Sequence, residues 1–204
     1  MGRRAFDFSA SCAALLLLAP FLVVVAALIA LRMGRPVFFR QTRIGRAGRA
    51  FEFIKFRTMR DAQGADGRML PDRDRLTGLG DFLRKWSIDE LPQLWNVLRG
   101  EMSLVGPRPL LPEYLPRYSE RQNRRHEVKP GLTGWAQVNG RNTLSWEEKF
   151  ELDVWYVEHR CFGLDCRILW LTVVQVLRHK GISASGHATM PEFLGSIARS
   201  EPHR

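Results

Sequence analysis

FSASCAALLLLAPFLVVVAALIAL, residues 8–31, carries no Lys, Arg, Asp or Glu across 24 positions. As an α-helix at ~1.5 Å per residue it would reach ~36 Å, enough to cross a hydrocarbon core of ~30 Å. Arg3 and Arg4 resemble the charged start of a cleaved signal peptide, but the apolar run is longer than such peptides carry. A straight spanning helix meets two objections. Pro20 falls mid-run, where it removes a backbone donor and clashes with the carbonyl of Leu16. The flanks are also basic on both sides, with Arg3 and Arg4 before and Arg32, Arg35, Arg40, Arg43 and Arg46 after. Lys and Arg near a membrane segment favour the cytoplasmic side. A helix broken at Pro20 that enters one leaflet and returns would satisfy both flanks; a bitopic helix stays open on these residues alone.

Outward from this segment, 204 residues suffice for one compact domain with an appendage. The net charge of +10 implies an anionic partner: nucleic acid, an anionic membrane face or a phosphorylated substrate. Three cysteines, Cys12 in the apolar run and Cys161 and Cys166 without a partnering Cys/His pair, do not form a disulfide framework or a metal set. A reducing setting fits them. Residues 35–60 place aromatic and β-branched residues around IGRAGR, which reads as a strongly basic β-hairpin. Residues 61–80 read as a loop, with Asp72 and Asp74 as solvated acids rather than a metal motif.

KWSIDELPQLWN, residues 85–96, sets two adjacent carboxylates, Asp89 and Glu90, against a basic pair and an apolar stripe. Leu91, Leu94, Trp95 and Leu98 fall at i, i+3, i+4 and i+7, so they read as the core face of a helix stopped by Gly100. On that wheel Asp89 points away from the core. Ser87 and Glu90 match the S-x-x-E capping box, although Pro92 fits better if Asp89 is itself the cap. Either way the acids begin a helix, where the dipole, Arg84 and Lys85 favour the ionised form. Such a carboxylate can ligate Mg²⁺ or attack phosphorus. Cations able to offset the charge lie at Lys55, Arg57, Arg84, Arg108 and Arg141, several in turns or, for Arg108, between Pro107 and Pro109. Further on, residues 129–142 are turn-rich. Residues 145–160 open with a capping box, Ser145 and Glu148, and 164–181 form a helix too short to span, destined for core or membrane surface. Residues 182–204 read as a tail ordered only in part.

These residues carry a resemblance. Arg43 and Gly45, KFRTM at 55–59, the run from Leu76 to Pro109 ending MSLVGPRP, and PGLTGWAQVNGR at 130–141 are similar to the bacterial sugar transferase family. Its members are the monotopic polyprenyl-phosphate phosphoglycosyl transferases. The resemblance implies an α+β, mostly helical fold: a re-entrant membrane helix at 1–34 broken at Pro20, a cytoplasmic catalytic domain at 35–195 with a short β-hairpin and interfacial amphipathic helices, and a tail at 196–204. It implies transfer of sugar-1-phosphate from a UDP-sugar to undecaprenyl phosphate, with release of UMP. Asp89 would be the nucleophile that forms a covalent phosphosugar intermediate, with Mg²⁺ beside it, and Glu90 would complete the dyad. Lys55, Arg57, Arg84, Arg108 and Arg141 would hold phosphates. The family's kink is a Ser-Pro pair; here it is Ala19-Pro20. KFELDVWY and SASGHATMPEF most resemble the transferases that hand on diacetylbacillosamine phosphate. The implied setting is the cytoplasmic face of the bacterial inner membrane, with membrane lipids and downstream glycosyltransferases as partners and no nucleic acid. Two rivals remain on the residues: a membrane-tethered protein gripping nucleic acid or anionic lipid, and a membrane phosphatase using the same carboxylate.

Overall fold

The structure is a computed structural model that describes residues 2–64, 67–140, 143–178 and 192–195. Helix α1 runs from Gly2 to Met33, long and apolar enough to cross a membrane. It continues through Pro20 as one element, which corrects the expected break. Pro20 sits on the exposed side, and the apolar helix runs on past its one missing backbone donor.

One stripe of α1 faces the rest of the chain along its whole length. Ala10, Ala14 and Leu15 pack on one core, and Leu22, Val25, Ala26 and Ile29 on a second. The N-terminal half adds polar ties. Asp7 accepts from Ser103 Oγ at 2.8 Å and from the Leu104 N–H at 3.2 Å, and Arg4 donates to the carbonyls of Val97 and Leu98, each at 2.6 Å. The other face leaves Leu16, Leu17, Val23 and Val24 exposed. An outward face so apolar suits lipid rather than water.

Strands β1 (Phe38–Ile44) and β2 (Ala50–Phe56) form the expected antiparallel hairpin, registered from Phe38 opposite Phe56 to Ile44 opposite Ala50. Its turn puts Ala47 at φ 56° and Gly48 at φ 73°. The expected loop at 61–80 is more structured than its composition suggested. It holds the one-turn helix α2 (Asp72–Arg75), closed by an Asp72–Arg75 pair at 2.6 Å, and the start of α3 (Gly78–Lys85). Thr77 caps α3 by accepting from the Gly80 N–H at 2.9 Å.

The stretch after α3 departs from the expected single helix. Residues Ile88–Gln93 wind as a 3₁₀ helix, and only Leu94–Arg99 is α-helical (α4), stopped as expected at Gly100 in the left-handed region. A 3₁₀ turn advances ~20° more per residue than an α turn, so the phase slips by ~100° over five residues. The core face therefore becomes Pro92, Gln93, Leu94, Asn96 and Val97, and Trp95 is 51% exposed instead of buried.

Strand β3 (Ser103–Val105) pairs in parallel with β4 (Gly131–Thr133), bringing the proline-rich strap after β3 beside the PGLTG turn. Between and after them come α5 (Glu120–Asn123), α6 (Trp135–Val138), α7 (Trp146–His159) and α8 (Phe162–Arg178). The capping box of α7 forms as expected, Ser145 with Glu148. Helix α8 buries Ile168 in the first core yet leaves Trp170 67% and Leu177 65% exposed, an apolar outer face continuing the theme of α1. A third cluster is aromatic: Tyr114, Phe150 and Phe193, with Tyr118 and Trp146 packed against it.

Candidate active site

The two acids sit in the first turn of the 3₁₀ helix. Ser87, the residue that opens this helix two positions before Asp89, takes the left-handed conformation, φ 54°, and makes no side-chain capping hydrogen bond, so the expected capping box is absent. That sharp turn and the 3₁₀ winding swing Asp89 inward to 5% exposure. Burial, reinforced by the neighbouring Glu90 charge, pushes the Asp89 carboxyl up to about 6. Lys55, Arg84 and Arg108 pull it back down, but burial wins. Desolvation thus offsets the cations expected to favour the ionised form, and at about 6 the carboxyl is still mostly ionised at neutral pH.

Three elements deliver the surrounding cations. Lys55 is the penultimate residue of β2; its ammonium lies 5.2 Å from the Phe39 ring centroid and burial lowers its pKa. Arg84, in the last turn of α3, donates through Nε to Thr58 Oγ1 at 3.0 Å. Gly80 makes that contact possible, because a Cβ there would overlap the carbonyl of Thr58. Arg108 rides on the strap and pairs with Glu90 at 2.6 Å, and this partner raises its pKa.

The strap is locked against β4. Gly106 donates to the Thr133 carbonyl at 2.9 Å, and Gly131 donates to that of Pro107 at 3.0 Å. Cβ atoms at Gly106, Gly131 or Gly134 would overlap the opposite backbone, so the glycines of GPRP and PGLTG interlock. On the other side, Ile44 N–H donates to the Leu110 carbonyl at 3.0 Å.

The structure brings Asp89, Glu90, Lys55, Arg84 and Arg108 together. Arg57 does not join them: it is buried and donates to the carbonyls of Met33, Gly34 and Arg35 and to Asp61, closing the end of α1. Arg141 lies outside the described residues. Two further arginines stand behind the site. Arg43 donates to Gln41 Oε1 at 2.6 Å, and burial together with Arg108 lowers its pKa to about 10. Arg125 bonds the Arg108 carbonyl at 2.7 Å. The R-x-G pattern around Arg43 was a usable signal; RRHE around Arg125 reads only as a solvated charge run.

Among the described residues no cluster of three or more His, Cys, Asp or Glu could cage a metal. Two carboxylates remain, Asp89 and Glu90. That donor set fits Mg²⁺, which takes one or two carboxylates and completes its shell with phosphate oxygens and water. It does not fit zinc or an all-protein calcium cage.

The chain therefore sets a buried carboxylate among lysine and arginine on a domain packed against a helix long and apolar enough to cross a membrane. The family model described as "Bacterial sugar transferase" matches residues 1–179. The chain is 55% identical over 194 residues to an uncharacterized sugar transferase, EpsL, of Bacillus subtilis (strain 168), covering 95% of this chain and 96% of that protein. It is 42% identical over 178 residues to the UDP-glucose:undecaprenyl-phosphate glucose-1-phosphate transferase of Xanthomonas campestris pv. campestris, covering 82% of this chain but 37% of that protein. It is 38% identical over 196 residues to the UDP-galactose-lipid carrier transferase of Erwinia amylovora, covering 88% and 41%. The chain belongs to the bacterial sugar transferase family, the polyprenyl-phosphate phosphoglycosyl transferases.

Proposed function

We propose that this protein transfers sugar-1-phosphate from a UDP-sugar to undecaprenyl phosphate, releasing UMP, as the first membrane step of glycoconjugate assembly. The observation that carries the reading is Asp89: buried, with a raised pKa, facing Lys55, Arg84 and Arg108. A buried carboxylate poised in this way is poorly solvated and nucleophilic once ionised, and its cations offset the charge of an arriving diphosphate.

In the first step a carboxylate oxygen of Asp89 attacks the β-phosphorus. The bond to the bridging oxygen breaks, and its electron pair leaves with UMP. The product is an acyl phosphate joining Asp89 to the sugar phosphate. In the second step an oxygen of undecaprenyl phosphate attacks the same phosphorus and the Asp89 carboxylate departs unchanged. Arg108, oriented by Glu90, and Arg84, held by Thr58, stay fixed while charge builds on phosphorus. Asp89, with Glu90 beside it, would hold Mg²⁺, which neutralises phosphate charge when bound.

Topology supports the same reading. Asp7 and Ile29 are ~33 Å apart along a straight helix, about a hydrocarbon thickness. Both pack on the same charged domain, which cannot sit on two sides of a bilayer at once. This favours a monotopic arrangement at the cytoplasmic face of the bacterial inner membrane, with membrane lipids against α1 and α8. Downstream glycosyltransferases would then receive the product. The relatives named above carry glucose and galactose in their names, so hexose donors come first; the SASGHATMPEF stretch behind the diacetylbacillosamine likeness falls mostly outside the described residues.

The test is UMP release from a panel of UDP-sugars with undecaprenyl phosphate and Mg²⁺. Release with at least one donor, lost in Asp89→Asn, is expected. No release across the panel, or free phosphate without a lipid acceptor, overturns the reading.

A further inference from the structure

We infer that Arg125 is a positioning residue for the transfer, acting on the dyad through the backbone of Arg108. Its guanidinium is 3% exposed, far from solvent for a residue in the run RRHE. One edge of the fork meets Asp153 of α7, with Nε to Oδ2 at 3.1 Å and Nη2 to Oδ2 at 2.8 Å. Nη2 also reaches the Arg108 carbonyl at 2.7 Å, and Nη1 reaches Tyr118 Oη at 3.2 Å. The rings of Phe150 and Tyr118 lie 5.3 and 5.7 Å from its central carbon.

A buried ion pair alone is weak evidence of stability, because desolvation consumes most of the attraction. Here the pair does something more specific. Arg108 sits between two prolines, so its φ/ψ range is already narrow. Its side chain must reach Glu90, and its carbonyl is a point on the strap at which α7 can set its orientation through Asp153 and Arg125. Arg125 supplies that point, and only a guanidinium can meet Asp153, Tyr118 and the carbonyl together. The route runs from α7 through Asp153 and Arg125 to the Arg108 backbone, then through the Arg108 side chain to Glu90. Misplacement of a fixed charge by ~1 Å costs one to two orders of magnitude in rate.

This inference rests on the transfer reading, and the experiment separates the two. The single-turnover rate of UMP release is measured with UDP-sugar and Mg²⁺ for the full chain in detergent. Wild type, Arg125→Lys, Arg108→Ala and the double variant are compared, with melting temperature as the control for folding. Arg125→Lys keeps the charge and loses the fork. We expect it to lower the rate about tenfold or more with little change in KM for the donor. In the Arg108→Ala background the same change is expected to cost less than about twofold, since the side chain that the carbonyl contact positions is gone. Asp153→Asn keeps the side chain's size and is expected to repeat the pattern if Arg125→Lys melts early. Equal losses in both backgrounds, or a wild-type rate in Arg125→Lys, overturn the inference while leaving the transfer reading intact. No UMP release from wild type overturns both.

Discussion

Asn96 is the residue that ties the catalytic turn to the hairpin, and its removal has a calculable cost. It is 0% exposed. Its Nδ2 donates to the Glu52 carbonyl and to Glu101 Oε2, both at 2.7 Å, while Oδ1 accepts from the Ile54 N–H at 3.3 Å. Asn96→Ala leaves one strand donor and one strand acceptor of β2 without these partners. Each orphaned group costs about 1–3 kcal/mol, so the total is about 3 kcal/mol with little side-chain volume lost. For a chain of this size that lowers the melting temperature by ~6–12 °C. Thermal unfolding in detergent reads the shift, and hydrogen exchange at the Ile54 amide reports the local break. Lys55 follows Ile54 directly, and Asp89 lies in the turn leading into α4, so UMP release is expected to slow as well. A melting temperature within ~2 °C of wild type, with Ile54 exchanging as before, would refute the reasoning.

Other consequences are checked separately. Arg57→Ala frees three carbonyls at the end of α1 and is expected to melt earlier, while the UMP released per folded molecule stays within a few-fold of wild type; a loss of two orders or more at normal stability would return Arg57 to the phosphate site. Asp89 has a raised pKa, so its ionised form opposes folding above about 6 and its protonation favours folding as pH falls toward the unfolded value of 3.8. Metal-free Asp89→Asn is therefore expected to melt above wild type at pH 8, with the gap closing as pH falls through 6; a variant that melts below wild type at pH 8 contradicts the burial argument. Single-cysteine labelling of cells is expected to place Gly2 and Gly195 on the same, cytoplasmic side, and outside labelling at residue 2 would mean that α1 spans.

Local signals carried much of the site into view. The hairpin around IGRAGR, the Gly100 stop and the Ser145–Glu148 box each rest on a few neighbouring residues, and each formed as read. Asp89, Glu90, Lys55, Arg84 and Arg108 converge because their motifs sit at element ends that pack together. What stayed hidden depended on distance or on helix type. The 3₁₀ winding at 88–93 turned Asp89 inward and Trp95 outward, and no propensity at those positions announces it. Arg57 turned to the α1 carbonyls, a contact across more than twenty residues. The β3–β4 pair and the Asp7 tie to Leu104 are longer still. Pro20 misled in the other direction: the helix absorbs one missing hydrogen bond without interruption.

The most direct test of the central claim omits the lipid. Purified protein is mixed with a reactive UDP-sugar and Mg²⁺ alone, quenched, digested and read by mass spectrometry. The account predicts one equivalent of UMP and a sugar-phosphate mass added to the peptide bearing Asp89, absent in Asp89→Asn. UMP that appears only after undecaprenyl phosphate is added, with no adduct on that peptide at any time, would contradict it.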